Sequence, residues 1–159
     1  HGGVLKPWKT GGDYALILGQ VPRDMSLQGM DMAPWYAEQA EKIKKIHGLP
    51  VHFREHPVAI RKGRRVTVPG AVVSEGTLDE ALAGAAFTVC FNSNSSVDSV
   101  LAGVPCVVAD KGSMAWDVCS HDVSEIVRPE REEWAHKLAF KQWDMEEISS
   151  GVPLKRLFQ

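Results

Sequence analysis

The stretch VHFREHP, residues 51–57, carries His52, Glu55 and His56 in the order H-x-x-E-H, the inverted zinc-peptidase spacing. That spacing builds a metal site only on a helix, where residues four apart stand one above the other. Here Gly48 and Pro50 precede it, Val51 and Phe53 alternate with more polar neighbours, and Pro57 follows at once. Such a stretch reads as a strand running into a turn. At about 3.3 Å per strand residue the two histidines would lie roughly 13 Å apart, too far to share one ion. No metal site is expected. Arg54 and His56, side by side at the end of a strand, instead suit a phosphate: one offers a planar fork, the other a switchable donor. A histidine that merely satisfies a turn is the structural alternative.

A second stretch, FNSNSSVDSVLAGVP at residues 91–105, crowds Asn92, Ser93, Asn94, Ser95 and Ser96 at the start of a helical pattern. Small hydroxyl and amide side chains there would leave backbone N–H groups and the positive helix end open to an anion. Asp98, in the first turn, could accept ribose hydroxyls. One serine or asparagine suffices for a helix cap, and this run exceeds that need. Two further loops come after apolar runs. Residues 19–31 (GQVPRDMSLQGMD) offer Gln20, Arg23, Asp24, Ser26 and Gln28, without the G-x-G-x-x-G of a dinucleotide site. Residues 110–117 (DKGSMAWD) offer Gly112 and Ser113 for close backbone approach, and Met114 or Trp116 to pack on a base. Core packing is the commoner use of such a tryptophan.

These loops need elements to hold them. Tyr14–Leu18 and Val51–Arg54 read as strands, as do residues 71–73, 87–91 and 105–109. Helical patterns cover residues 34–47, 78–83, 97–102 and 130–148, and Thr77 with Glu80 forms a capping box. Continuous apolar runs such as FTVCF suit strands buried on both faces of a parallel sheet. The alternation predicts an α/β, Rossmann-like doubly wound parallel sheet spanning residues 1–159, with a core at about 12–128 and a C-terminal helix and tail at 129–159. In such sheets ligands bind outside the carboxyl ends of the strands, where all four loops lie.

The bulk properties exclude several classes. With 159 residues the chain can bury a core, and a net charge of -2 gives no global case for nucleic-acid binding. A local basic run, Arg61, Lys62, Arg64 and Arg65, reads first as a solvated loop. Three widely spaced cysteines show neither a disulfide framework nor a zinc-knuckle spacing, which suits a reducing, cytoplasmic location. No apolar run approaches the roughly 18 residues of a membrane span, and no signal peptide is visible.

The ordered pair R-x-H-P and N-S-N-S-S-V-D-S-V-L-A-G-V-P resembles the nucleotide-sugar-binding half of GT-B glycosyltransferases, most closely the capsular polysaccharide biosynthesis proteins that use CMP-Kdo. His56-Pro57 is similar to the family's HP loop, Ser93 and Asn94 to its serine turn, and Leu101-Ala102-Gly103 with Pro105 to its terminal motif. Asp98 stands at the acidic position, one methylene shorter than the usual glutamate. The resemblance covers roughly residues 50–117. It implies one half of a GT-B fold that binds a nucleotide-sugar donor without cofactor or metal; no D-x-D motif appears. His56 would be the catalytic contact, with Arg54, Ser93, Asn94, Ser95, Ser96, Asp98, Gln20, Arg23, Gly112 and Ser113 around the nucleotide. The family's acceptor site and usual base lie in a second Rossmann domain, so an acceptor glycan and a second domain or a homo-oligomer are the expected partners. Two other readings stay open: a non-catalytic nucleotide- or sugar-binding module, and a phage glycosyltransferase acting on modified DNA bases, with the Arg61–Arg65 run on nucleic-acid phosphates.

Overall fold

The computed structural model describes residues 4–140, 143 and 145–157. The chain divides into two compact units, His1–Pro129 and Glu130–Gln159. The first holds a five-stranded sheet: β1 (Tyr14–Leu18), β2 (Val51–Arg54), β3 (Val72–Val73), β4 (Ala85–Cys90) and β5 (Cys106–Val108). Every pairing is parallel and the order is β3-β2-β1-β4-β5. The connections carry α1 (Met32–His47), α2 (Pro57–Arg61), α3 (Leu78–Gly84) and α4 (Ser95–Leu101). The fold is thus a Rossmann-like, doubly wound α/β sheet. From β1 the chain builds outward through β2 and β3, then returns to place β4 on the other side of β1. The switch point between β1 and β4 is where a crevice opens in sheets of this order.

Sequence chemistry accounts for the elements. β1 and β4 are nearly all buried, as strands covered on both faces must be. Ala15, Ile17, Tyr36, Ile43, Phe53, Phe87 and Val89 share one core with Val107. Asp31 caps α1 by accepting from Ala33 N at 3.1 Å, and Gly48 ends the helix at φ 66°. Thr77 and Glu80 form the expected capping box, with Glu80 N 3.2 Å from Thr77 Oγ1. The three cysteines are buried and free. No helix among the described residues is long and apolar enough to cross a membrane.

Boundaries differ from the sequence expectations at several elements. α1 starts at Met32, which leaves Pro34 in the first turn, where its missing N–H costs nothing. α4 starts at Ser95 instead of residue 97, because Asn94 is already in αR geometry. α2 was not expected: Pro57, read as a stop, instead opens a short helix, with His56 as its N-cap. In the second unit, α5 (Glu132–Phe140) and α6 (Met145–Ser149) stand where one helix was expected over residues 130–148, and α7 (Val152–Leu157) follows in the expected tail. Of that expected helix, residues 141, 142 and 144 lie outside the described residues.

Glu55 anchors the chain beyond β2. It is buried, and its two oxygens accept from Val66 N and Arg65 Nε, both at 2.8 Å. The returning segment at 65–66 is thereby tied to the strand end. Glu55→Ala strands the half-buried Val66 N–H and frees a cation, so it should cost about 2 kcal/mol, or roughly 4–8 °C in Tm for a chain of this length. Thermal unfolding followed by circular dichroism checks this.

Candidate functional site

A cleft of about 640 Å³ lies at the carboxyl ends of the strands, across the switch point. The loop after β1 supplies Gln20, Val21, Asp24, Ser26 and Gln28; the loop after β2 supplies His56. The turn after β4 supplies Asn92, Ser93, Asn94 and Ser95, with Asp98 one turn on, and Asp110 and Gly112 come from the loop after β5. Four loops separated by as many as 92 positions, from Gln20 to Gly112, therefore share one concavity.

Its floor is a polar clasp between the second residues beyond two buried strands. Gln20 Nε2 donates to Asn92 Oδ1 at 2.6 Å, and Asn92 N donates to Gln20 Oε1 at 3.0 Å. Asn92 Nδ2 donates further to Asp110 Oδ1 at 3.1 Å and to Ser26 O at 3.2 Å. Gln20 N donates to the Tyr36 hydroxyl at 2.8 Å. Burial, which outweighs that bond, pushes the Tyr36 hydroxyl up to about 12, so it stays a neutral phenol. Gly19 makes the turn possible: a Cβ there would lie 2.9 Å from the Phe53 ring. Asn92 belongs to the expected serine–asparagine run but was not placed around the nucleotide, and Asp110 was not a candidate. Each is the first polar residue after an apolar strand and its last half-buried or exposed apolar neighbour, and that position is a signal the sequence does carry.

The wall after β4 departs from the expected helix-end anion site. Asn94 makes no side-chain capping bond. Ser95 N instead donates to Ser93 Oγ at 3.3 Å, Ser96 N to Ser93 O at 3.0 Å and Val97 N to Asn94 O at 2.9 Å. The N–H groups of Ser93 and Asn94 are the ones that meet no acceptor among the described residues. Ser96 and Ser113 do not line the cleft: both are buried, and their hydroxyls bond each other at 2.9 Å behind the turn. A second hydroxyl pair, Thr88 to Ser99 at 2.9 Å, is buried nearby on β4 and α4. The serine run thus serves both the wall and the packing beneath it.

On the opposite side, His56 caps α2 by accepting from Val58 N on Nδ1 at 3.1 Å. This places the ring proton on Nε2, which meets no hydrogen-bond partner among the described residues and is free to donate. Arg54 is not beside it. Its guanidinium reaches Gly76 O at 2.7 Å and Glu75 O at 3.4 Å, holding the loop before α3. Arg23 lines a separate groove. His52, the other histidine of H-x-x-E-H, stacks on Tyr14 with centroids 3.8 Å apart and planes 4° apart. The three residues of that pattern therefore sit on a strand, in the following loop and at a helix cap, with three separate tasks. Trp116 stacks on His121 at 3.6 Å and does not line the cleft.

Three carboxylates face this space in unlike surroundings. Ser26, through its N–H first and its hydroxyl second, holds Asp24 below the usual carboxylate range. Asp110 is occupied by Asn92 and by Gly112 N at 2.9 Å. Burial raises Asp98, and the Asp79 carboxylate raises it further. Acceptors at Asp24, Asp98 and Asp110 facing donors at His56, Ser93 and Asn94 match a ligand rich in hydroxyls with one anionic group.

The raised pKa of Asp98 has a testable sign. Its folded value lies above its ordinary 3.8, so its contribution to stability is fully present in acid below that value and is lost as pH rises through the folded one. Asp98→Asn should match the wild type in Tm at acid pH and exceed it at neutral pH, a difference that melting curves across pH will read. No family model and no curated protein matches the chain.

Proposed function

We propose that this chain is the donor-binding domain of a GT-B-type glycosyltransferase, of the kind found in capsular polysaccharide biosynthesis, and that its ligand is a nucleotide-sugar. The observation that carries the reading is the cleft at the β1/β4 switch point, with His56 on one side and the Ser93–Asn94 turn on the other. The donor phosphate would lie between His56 Nε2 and the two open N–H groups, and Asp98 would accept ribose hydroxyls. Bond cleavage would then be assisted electrostatically: fixed donors stabilise charge as it gathers on the leaving phosphate. The acceptor and the remaining catalytic groups would come from a second domain or a second copy of the chain.

A non-catalytic nucleoside- or sugar-binding module is the second reading, favoured by a specific observation. Arg23 and Arg54 both lie outside the cleft lining, while three aspartates lie within it. That balance serves hydroxyl groups better than a diphosphate.

Calorimetric titration with cytidine and uridine nucleosides, monophosphates and diphosphates separates the two. The donor reading expects the phosphorylated forms to bind at millimolar concentration or better, equivalent to about 4 kcal/mol, and more tightly than the nucleosides. No binding by a folded domain overturns it, and equal affinity for nucleoside and nucleotide favours the module. His56→Asn is the decisive variant, because asparagine keeps the N-cap and lacks the Nε2 donor. It should leave Tm nearly unchanged and weaken nucleotide binding by about 1.5 kcal/mol or more, at least tenfold. An unaltered dissociation constant removes His56 from the site.

A further inference from the structure

A second concavity, of about 420 Å³, lies on the far side of the loop after β1. Residues 21 and 24 of that loop face the switch-point cleft, whereas Pro22 and Arg23 line this groove. Across from them stand Arg64, Arg65 and Thr67, from the segment that Glu55 ties to the end of β2. Three arginines from two distant parts of the chain thus line one hollow. Their mutual repulsion is offset only in part. Arg65 gives its Nε to Glu55 at 2.8 Å, and Asp31, also in the lining, spends one oxygen on capping α1 through Ala33 N. Arg64 has one weak bond, to Pro22 O at 3.3 Å, and Arg23 meets no partner among the described residues. Arg23 also holds φ 65°, a left-handed conformation that glycine would adopt without strain. An exposed loop has no packing reason to keep arginine there; holding a guanidinium over the groove is a reason.

We propose that this groove is an anion-binding subsite for a single phosphoryl-bearing group. Arginine forks match the paired oxygens of phosphate in a way lysine cannot, and every cation in the lining is arginine. The ligand is small and not nucleic acid. A nucleic-acid surface needs a track of cations along successive phosphates, whereas these three share one hollow with a carboxylate in its wall, on a chain of net charge -2. Groove and cleft share the strip of chain at 21–24 as a wall. A phosphate held in the groove therefore belongs to a molecule that approaches the cleft from outside, and its identification as the acceptor of the transfer rests on the donor reading of the cleft; the anion site itself does not.

The test titrates inorganic pyrophosphate and, separately, uncharged cytidine into the wild type, into an Arg23→Gly/Arg64→Ala double variant and into His56→Asn. Arg23→Gly removes the guanidinium while suiting the local backbone, so the loop is kept, and Arg64→Lys serves as a milder second probe. The expected result is a loss of pyrophosphate affinity of at least tenfold in the double variant and a smaller loss in Arg64→Lys, with any loss in His56→Asn well below that of the double variant. Unchanged pyrophosphate affinity in the double variant overturns the proposal. So does a loss confined to His56→Asn, which would put the anion in the cleft, and so does the absence of saturable binding to folded protein at roughly 10 mM. A short DNA duplex that binds where pyrophosphate does not, with a salt slope of several phosphates, would assign the groove to nucleic acid. Cytidine tests the cleft alone, so failure of the donor reading leaves the arginine comparison intact.

Discussion

The two hydrogen bonds exchanged between Gln20 and Asn92 are the constraint on which the site depends. They join the carboxyl ends of β1 and β4, neighbouring strands whose onward connections belong to opposite halves of the sheet. A doubly wound sheet opens a crevice at that point without any special sequence. What this sequence adds is a closed polar floor. Asn92 spends its amide on Gln20, Asp110 and Ser26 O, so the loops after β1, β4 and β5 are registered against one side chain. The Ser93 and Asn94 N–H groups left over at one wall then hold fixed positions relative to that floor, while His56 Nε2 comes from the separate loop after β2.

Charge is sorted around this floor. Asp24 and Asp98 belong to the same concavity, yet their surroundings push them in opposite directions, one stabilised as an anion by Ser26 and the other penalised by burial. Unlike tuning of neighbouring carboxyl groups is a common mark of sites that handle hydroxyls and protons. The arginines lie elsewhere: Arg54 braces a loop, and Arg23, Arg64 and Arg65 ring the neighbouring groove. The cleft is therefore mildly acidic and its flank basic, which orients any ligand carrying both hydroxyls and a phosphate.

Much of the fold was legible in the sequence because the physics there is local. Apolar runs bounded by Gly and Pro marked the strands, and their alternation with helical patterns implied a parallel sheet. The capping box at Thr77 needed only its two residues. The loops were placed at the right edge for the same reason, and Gln20, His56, Ser93, Asn94, Ser95, Asp98 and Gly112 do line one cleft. Side-chain partners were not legible. Arg54 sits two residues from His56 in sequence, but the carbonyls it serves, at Glu75 and Gly76, come from beyond β3. Ser96 and Ser113 look identical in composition to wall serines, and only the turn of α4 decides that they bury against each other. Pro57 reads as a stop or a start according to whether the residue before it can cap, and His56 can.

The buried cysteines have a consequence for how this molecule breathes. Cys90 ends β4, Cys106 opens β5, and Cys119 directly precedes Ser120, which bridges to Val107. All three thiols are sealed within the half of the sheet that carries the serine turn, with none on β1, β2 or β3. A thiol reagent reaches them only through opening of that half. Its rate of reaction thus acts as a clock for local unfolding, and a ligand that bridges the turn to the loop after β1 would slow it.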